Sequence, residues 1–290
     1  MKSKEPIPLG ILANNDHLIR DVVDYVRFRQ NSDGGYTFCQ GAESNAQDTY
    51  YGLAILKLLG ETFPRIEKTV EWLSELTLSS IYHYYYVVKA LLLCGERLNN
   101  NFEKFVASVV HSRKYFGSTN FFVEVPSEFE LTLMVLELAN LFALKLEKNE
   151  VVNWLVEFQN EDGGFGAHGH SNINSTFYAV AALELLEFDV KNLHGTVAFL
   201  RECEKPYGGF TVVPRSLSPY MEYTYFGVIT LDRLDESCRF PSRTIDFTLS
   251  CRKGNGGFSR SDTGISTFEN TFQAVSIMQR LASTGRVGQG

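Results

Sequence analysis

The sequence is poor in tryptophan and cysteine, and it has neither a long apolar run nor an excess of positive charge. The five cysteines are odd in number, dispersed and never in a CxxC pair, which is typical of reduced thiols rather than of a disulfide framework. No window reaches the roughly 18 consecutive apolar residues of a membrane span. The net charge of −7 gives no electrostatic footprint for nucleic acid or an anionic membrane. These two features predict no membrane span and no nucleic-acid partner.

The first residues lack the apolar core of a secretory signal, and together with the thiols this predicts a cytoplasmic protein. Aromatic residues, by contrast, are abundant. The 290 residues include 22 Phe and 14 Tyr, an aromatic fraction of 13%. Side chains of this size require either a large aromatic core or an aromatic-lined cavity.

A short phrase of two glycines and an aromatic residue, here called the Gly-Gly-aromatic phrase, occurs four times. It reads DGGY at 33–36, DGGF at 162–165, and GGF at 208–210 and at 256–258. Each copy follows one segment with helical periodicity and precedes another. Such self-similarity predicts a repeat architecture in which each helix pair buries its apolar face against its neighbours.

The periodicity predicts six helical hairpins between about residues 16 and 283. The outer helices are predicted near 16–30, 64–77, 101–113, 149–159, 192–204 and 242–252. The inner helices, which are apolar around more of their circumference, are predicted near 47–60, 81–95, 127–144, 174–187, 221–234 and 269–283. The second hairpin lacks the phrase, and the third keeps only a remnant at Phe116 and Gly117. Six hairpins in sequence can close into a ring, so we expect an all-α, α6/α6 toroid that forms a single domain over residues 1–290.

Each Gly-Gly-aromatic phrase is followed by a loop and then by a helix that begins T-[YF]-x-[AG]-[LV]. This order resembles the repeat of the prenyltransferase and squalene-cyclase superfamily, in particular that of the β subunits of protein prenyltransferases. The resemblance implies a central funnel that accepts a polyisoprenyl chain. Aromatic residues of the inner helices, among them Tyr85, Phe177, Tyr225 and Phe272, would then line the funnel and contact the ligand. The same rings could instead fill the barrel as core.

The resemblance does not extend to the zinc ligands of the protein prenyltransferases. Their Asp and Cys at the fifth inner helix fall at Tyr220 and Glu222, and their His at the sixth falls at Glu269. Carboxylates without thiolate or imidazole favour harder cations, so we predict no zinc site and leave magnesium open as a cofactor. The D-x-D-D motif of class II terpene cyclases is also absent, which argues against cyclisation by the usual acid.

The diphosphate-binding residues of the family are matched better. Its tyrosine next to the zinc-ligand cysteine corresponds to Tyr223, and Arg215 supplies a basic residue in the preceding loop. The family's histidine before the fourth inner helix is replaced by Asn172, although His168 and His170 lie just upstream. The resemblance thus implies that His170, Arg215 and Tyr223 hold a phosphate near helix N-termini, where the helix dipole favours an anion. Such loop side chains can equally be solvated without a role.

Polar residues at the N-termini of the inner helices form a second group of candidates. An alignment of these helices brings six of them to one mouth of the funnel: Asp48, His83, Glu128, Ser175, Tyr223 and Asn270. Asp, Ser and Asn are favoured helix caps, whereas His83, Glu128, Glu222 and Glu269 are poor ones. We therefore predict these last four as candidate acids, bases or ligands and assign Asp48 to substrate binding. Two carboxylates close together would raise the pKa of one, which could then act as a general acid.

Two functions follow. The first is an isoprenoid-binding protein, acting on a prenyl diphosphate or a related lipid as a transferase without zinc. The second is a non-catalytic toroid that binds an apolar ligand or docks a helical protein partner, as a β subunit docks an α subunit. A toroid acting on carbohydrate fits less well, because Trp72 and Trp154 both lie on predicted outer helices and offer no platform in the funnel.

Overall fold

The computed structural model describes residues 16–117 and 127–284. Within these ranges the chain forms twelve α-helices and one short β-hairpin. The outer helices are α1 (Asp16–Arg27), α3 (Ile66–Glu75), α5 (Asn100–Ser112), α7 (Lys148–Val156), α9 (Thr196–Cys203) and α11 (Pro241–Ser250). The inner helices are α2 (Ala46–Leu58), α4 (Ile81–Leu93), α6 (Glu128–Leu141), α8 (Ile173–Leu185), α10 (Met221–Arg233) and α12 (Phe268–Thr284). The antiparallel hairpin of β1 (Phe258–Ser259) and β2 (Ser266–Thr267) leads into α12.

The inner helices form a closed ring. Each packs against the inner helix before it and the one after it, and α12 packs against α2. The predicted all-α, α6/α6 toroid is thereby confirmed, and each predicted helix is present. The ends differ most at α9, which begins at Thr196 because a separate 3-10 turn occupies Val190–Asn192. The predicted helix 127–144 ends at Leu141 because Ala143 takes a left-handed backbone conformation.

The aromatic residue of each phrase is fully buried beside the inner helix that follows it. Tyr36, Phe165, Phe210 and Phe258 are each 0% exposed. Their backbone N–H groups donate, at 2.9 to 3.1 Å, to hydroxyls of buried threonines on that helix, namely Thr49, Thr176, Thr224 and Thr271. Each hydroxyl donates in turn to a carbonyl one helical turn back. The threonine of the T-[YF] motif thus satisfies a buried N–H that would otherwise lack a partner.

The first glycine of each phrase packs against the outer helix of the next hairpin. A Cβ atom at Gly34 would collide with the backbone of α3, at Gly163 with the backbone just before α9, and at Gly208 with that of α11. At the last copy, a Cβ on Gly256 would collide with the carbonyl oxygen of Asp21 in α1. The fourth phrase therefore joins the end of the repeat to its beginning.

Neighbouring inner helices run parallel. Near their N-termini, Tyr51 of α2 contacts Glu269 of α12, whereas near their C-termini Arg233 of α10 pairs with Glu184 of α8. The N-terminal turns consequently surround one end of the ring, which we call the upper mouth, and the C-terminal turns surround the lower mouth. No helix in the described ranges is long and apolar enough to cross a membrane.

Candidate functional site

Aromatic side chains from five inner helices line the interior of the ring. We call them the aromatic belt, and its members are Tyr50, Tyr51, Tyr85, Tyr86, Phe177, Tyr178, Tyr225, Phe226 and Phe272. Ring contacts cross from helix to helix, with centroid distances of 5.9 Å for Tyr51–Tyr86, 5.4 Å for Tyr51–Phe272 and 6.1 Å for Phe272–Tyr225. The chain of contacts continues from Tyr225 to Phe177 at 6.0 Å. These separations are within the range of favourable aromatic pairs.

Most of the belt is only partly buried. Tyr50, Tyr51, Tyr85, Tyr178, Tyr225 and Phe272 keep accessible surface, whereas Leu53, Val87 and Ala179 on other faces of the same helices are 0% exposed. Rings that served only as core filler would be as inaccessible as these residues. The belt therefore leaves aromatic surface accessible on the inner face of the ring, and the four aromatic residues predicted to contact substrate all belong to the belt.

A ring of polar side chains lies at the upper mouth, one helical turn before the belt. On each inner helix except α4, the member of this ring lies two positions before the buried threonine. On α4, where Tyr84 takes the place of the threonine, the member lies two positions before Tyr84. The members of the ring are Gln47, Tyr82, Glu130, Asn174, Glu222 and Glu269. Helical periodicity puts this position on the same face as the belt. Three carboxylates are thus brought to one opening.

This arrangement corrects the predicted ring. Asp48, His83, Ser175, Tyr223 and Asn270 each follow the inward-facing position by one residue, which turns them by about 100° around the helix. On α6 the inward-facing residue is Glu130 rather than Glu128, the first residue of the helix. The distance of each residue from the threonine, which can be read from the sequence, gives this register, whereas the alignment of the inner helices described above does not.

Glu269 is the most enclosed carboxylate of the upper mouth. Its Oε1 accepts from the Tyr51 hydroxyl and the Gln273 amide, both at 3.4 Å, and its Oε2 accepts from the Gln47 amide at 3.5 Å. Burial, with the charges of Glu130 and Glu222, raises the pKa of Glu269 to about 7. Near neutral pH this carboxyl group is therefore divided between its protonated and ionised forms.

Glu130 is the functional candidate that the sequence reasoning missed. The hydroxyl of Tyr178 in the belt donates to its carboxylate, and burial raises the pKa of Glu130 above its ordinary value. Its charge acts on Glu269 and on the hydroxyls of Tyr82 and Tyr86. The upper mouth is consequently an electrostatically coupled group of carboxyl and phenol side chains.

Glu222 and Tyr223 lie at the rim of the upper mouth and share a basic partner. Arg260 donates to Glu222 Oε1 at 2.7 Å and to the Tyr223 hydroxyl at 3.1 Å, and its guanidinium lies 4.2 Å from the centre of the Tyr220 ring. The basic residue beside Tyr223 is therefore Arg260. It follows the fourth phrase by two residues, and no feature of the sequence marked it.

The remaining candidates lie away from the belt. The Asp48 carboxylate is buried and accepts from the backbone N–H of Phe38 at 3.0 Å and the Asn45 amide at 2.8 Å, so it holds the loop before α2. His83 is exposed, with its ring 3.2 Å from the Ser79 hydroxyl.

His170 and Arg215 are both exposed in the loops before α8 and α10. Those two loops are joined where the N–H of Ile173 donates to the Val212 carbonyl at 2.9 Å. The loops therefore border the upper mouth on one side, outside the ring of carboxylates.

A side opening leads to the upper mouth between α2 and α4. A pocket of about 380 Å³ lies there, and it is lined by Ser44, Asn45, Ala46, Gln47, Leu76, Thr77, Leu78, Tyr82, His83 and Tyr86. Gln47 and Tyr82 belong to the polar ring, and Tyr86 belongs to the aromatic belt. The pocket thus connects the outer surface with both layers, and His83 lies at its edge.

The residues present do not fit the zinc of the protein prenyltransferases. Tyr220, Glu222 and Glu269 occupy the three ligand positions, and Glu222 is paired with Arg260. Within residues 16–117 and 127–284, no three His, Cys, Asp or Glu side chains come together in a way that could hold a metal ion. A thiolate and an imidazole, which zinc favours, are both missing from these positions.

Solved structures with this fold include Candida albicans protein geranylgeranyltransferase-I complexed with GGPP, with a TM-score of 0.71, 15% identity and coverage of 90% of each chain. The type II terpene cyclase MstE from Scytonema has a TM-score of 0.57 at 11% identity, covering 92% of this chain and 96% of that chain. A variant of that cyclase with geranylgeranyl dihydroxybenzoate has a TM-score of 0.56 at 12% identity, with the same coverage. Identities this low establish a common fold.

No curated protein matches the sequence at a significant level. The sequence does match the prenyltransferase alpha-alpha toroid domain over residues 9–80 and 129–288. These two stretches contain most of the inner helices and all four Gly-Gly-aromatic phrases. The chain therefore belongs to the prenyltransferase alpha-alpha toroid family.

Proposed function

We propose that the protein binds an isoprenoid chain in the central cavity, with the polar end of the ligand at the upper mouth. The observation that carries this proposal is the aromatic belt, whose rings are in mutual contact across neighbouring inner helices and yet keep accessible surface. Covering apolar ring surface with a hydrocarbon chain is favourable by about 25 cal/mol per Å². The two solved relatives that are named with geranylgeranyl compounds support the same ligand class.

The charge of the upper mouth governs which polar end is preferred. Glu130, Glu222 and Glu269 contribute negative charge, and Arg260 at the rim is already paired with Glu222. A diphosphate would be repelled by the carboxylates unless a divalent cation were bound with it. We therefore propose that an isoprenoid alcohol or another neutral head group binds without metal, and that a prenyl diphosphate binds in the presence of magnesium.

Glu269 is the proposed catalytic acid if the bound ligand reacts. Its carboxyl group is partly protonated near neutral pH and lies within 3.4 Å of the Tyr51 hydroxyl in the belt, so it can deliver a proton to the polar end of the ligand. Glu130 and Glu222 act through their charge, which favours the protonated form of Glu269. Glu128 and His83 have no role in this proposal, because Glu130 and Tyr82 occupy the positions of their helices that face the mouth.

The proposal is tested by thermal-shift titration with farnesol, geranylgeraniol and the two corresponding diphosphates, each with and without magnesium. A ligand that binds only the folded protein raises the melting temperature in a saturable way. We expect saturable shifts with at least one alcohol without metal, and with the diphosphates in magnesium. Absence of any saturable shift would overturn the proposal.

Two tryptophan variants locate the binding site. Ser276 lies one turn beyond Phe272 on the same face of α12, and Ser276→Trp places an indole in the central cavity. Ser250→Trp adds the same side chain at an exposed position on α11. The first variant should lose the ligand-induced shift, and the second should keep it. Where Ser276→Trp fails to fold, Phe272→Ala, which removes belt surface, should weaken binding instead.

A second candidate function is a non-catalytic subunit that docks a helical partner at the rim. Leu217 and Ile265, in the loops before α10 and α12, are 78% and 73% exposed. The two loops are linked by the N–H of Met221, which donates to the Arg260 carbonyl at 2.9 Å. This alternative predicts that the double variant Leu217→Ser with Ile265→Ser no longer associates with the partner. It also predicts that prenyl ligands do not raise the melting temperature of the wild-type protein.

A further inference from the structure

A second pocket opens at the lower mouth. It has a volume of about 540 Å³ and is lined by Tyr50, Lys89, Leu92, Leu93, Glu137, Leu138, Asn140, Leu141 and Leu185. We call it the lower pocket. Its volume lies within the range of about 300–1,000 Å³ typical of small-molecule sites, and its mainly apolar lining with a few converging polar groups is typical as well. It shares no lining residue with the polar ring of the upper mouth.

An ion pair lies where the lower pocket meets the aromatic belt. Lys89 Nζ of α4 lies 2.6 Å from Glu137 Oε2 of α6, and both side chains are 30% exposed. The Tyr85 hydroxyl donates to the same Glu137 oxygen at 2.8 Å. The ammonium also lies 5.2 Å from the Tyr85 ring centre and 6.0 Å from that of Tyr50. Burial is the largest single influence on the pKa of Lys89 and lowers it, but the charge of Glu137, the Tyr50 hydroxyl and the hydrogen bond to Glu137 together outweigh burial, so the pKa is raised and the ammonium stays charged.

Both members of the pair keep hydrogen-bonding capacity toward the pocket. An ammonium has three N–H donors, and the bond to Glu137 uses one of them. The bonds from Lys89 and Tyr85 both end on Oε2, which leaves Oε1 of Glu137 as an acceptor. A donor and an acceptor of opposite charge thus lie side by side among leucines.

We infer that the lower pocket binds a long-chain alcohol. A hydroxyl group can accept from Lys89 and at the same time donate to Glu137 Oε1, and its hydrocarbon chain can lie along the leucines. A carboxylate head group would be attracted by Lys89 but repelled by Glu137, and an ammonium the reverse, so a pair without net charge does not offset the desolvation of a charged head group. Leu92 and Leu141, 37% and 42% exposed, would be covered by the chain.

This site goes beyond the proposed function, because it requires neither an isoprenoid nor the carboxylates of the upper mouth. Tyr85 directs its hydroxyl to Glu137, whereas Tyr51 and Tyr178 direct theirs to Glu269 and Glu130. The belt therefore separates two polar layers. Substitution of Lys89 and Glu137 distinguishes the two sites, since neither side chain belongs to the polar ring of the upper mouth.

The test is isothermal titration calorimetry of the full chain with 1-decanol, decanoate and decylamine. We expect 1-decanol to bind at one site more tightly than either charged analogue. The double variant Lys89→Met with Glu137→Gln keeps the net charge unchanged and retains an acceptor for Tyr85. It should weaken 1-decanol binding at least about tenfold, because hydrogen bonds to both charged groups are lost.

A matched control removes an ion pair of similar exposure outside the pocket. Arg280 of α12 pairs with Asp232 of α10 at 3.2 Å, and both side chains are 27% exposed. The double variant Asp232→Asn with Arg280→Met should bind 1-decanol as the wild type does.

Three results would overturn the inference: no binding of 1-decanol to the wild type, tighter binding of decanoate, or equal loss in both double variants. The variant Leu141→Trp places a larger side chain in the lower pocket from an exposed position, and it should also abolish 1-decanol binding. Ser276 lies at the level of Lys89 and Glu137, so Ser276→Trp does not separate the two sites. The double variant Lys89→Met with Glu137→Gln separates them, because it should keep the shift given by the prenyl diphosphates in magnesium, whose polar end is proposed to bind at the upper mouth.

Discussion

Gly256 lies directly against the carbonyl oxygen of Asp21, so the last Gly-Gly-aromatic phrase packs on the first helix of the chain. Arg252 forms an ion pair with the Asp21 carboxylate at the same junction. The glycines at 34, 163 and 208 make the equivalent approach to the next outer helix within the chain. One contact type thus builds three of the steps between neighbouring hairpins and also closes the ring.

Substitution of Gly256 should open this junction. Gly256→Ala would place a Cβ against the Asp21 backbone and would force an alanine to a φ of 90°. We expect a loss of about 3 kcal/mol or more in the free energy of unfolding, measured by urea denaturation. Gly254→Ala, two residues away, meets nothing within 4 Å and should change stability by less than about 1 kcal/mol. Equal effects of the two substitutions would contradict this account of ring closure.

The buried threonines of the inner helices should stabilise the protein mainly by accepting the backbone N–H of the Gly-Gly-aromatic phrase, and not by their hydrogen bond within the helix. Thr176 accepts the Phe165 N–H at 2.9 Å, whereas Thr248 of α11 only bonds its own helix; both are 0% exposed. Thr176→Val leaves a buried N–H without its acceptor and should cost about 1–3 kcal/mol. Thr248→Val should be close to neutral. Urea denaturation of the two variants compares them, and similar losses would show that the phrase contact contributes little.

The stability of the protein should depend on pH through Glu269. Its pKa is raised from 4.5 to about 7 in the folded state. The folded protein thus binds this proton more tightly than the unfolded chain, and the associated stability is present at low pH and is lost as the pH rises from about 4.5 to about 7. Glu269→Gln should therefore match the wild type near pH 4.5 and exceed it by roughly 3 kcal/mol above pH 7.

Urea denaturation across pH 4.5 to 8 measures this difference. The control is Glu150→Gln, at a half-exposed carboxylate of α7 that pairs with Arg113. Its difference from the wild type should stay within about 0.5 kcal/mol over the whole range. A difference between wild type and Glu269→Gln that does not change with pH would contradict the raised pKa.

Arg260 should matter more for a charged ligand than for a neutral one. It pairs with Glu222 at 2.7 Å and contacts Tyr223 at the rim. Arg260→Met removes positive charge and leaves Glu222 uncompensated, so the affinity for a magnesium diphosphate should fall about tenfold. The affinity for geranylgeraniol should change little. Arg243→Met, at an exposed position of α11, is the control and should alter neither affinity in the same titrations.

Much of the fold was predictable because its causes are local and repeated. Two glycines, a buried aromatic residue and a threonine hydroxyl recur in the same order, and the aromatic residue and the threonine make the same hydrogen bond in each copy although their separation varies. The aromatic candidates Tyr85, Phe177, Tyr225 and Phe272 were predictable for the same reason, since they follow the threonine or its equivalent by one residue.

The polar site was harder to predict because a single residue of register decides which side chain faces the cavity. Asp48 and Glu130 are equally polar in the sequence, but one holds a loop and the other faces the upper mouth. Arg260 and the pair Lys89–Glu137 depend on contacts between different hairpins, about which periodicity carries no information. Only the closed ring brings these groups together.

The most direct test of the central claim is photoaffinity labelling with a diazirine analogue of geranylgeraniol, followed by mass spectrometry of the labelled peptides. The account predicts adducts on belt residues such as Tyr51, Tyr178 and Tyr225, which excess geranylgeraniol suppresses and which Ser276→Trp lacks. Adducts confined to the outer helices, or a pattern that geranylgeraniol does not suppress, would show that the aromatic belt is not an isoprenoid site.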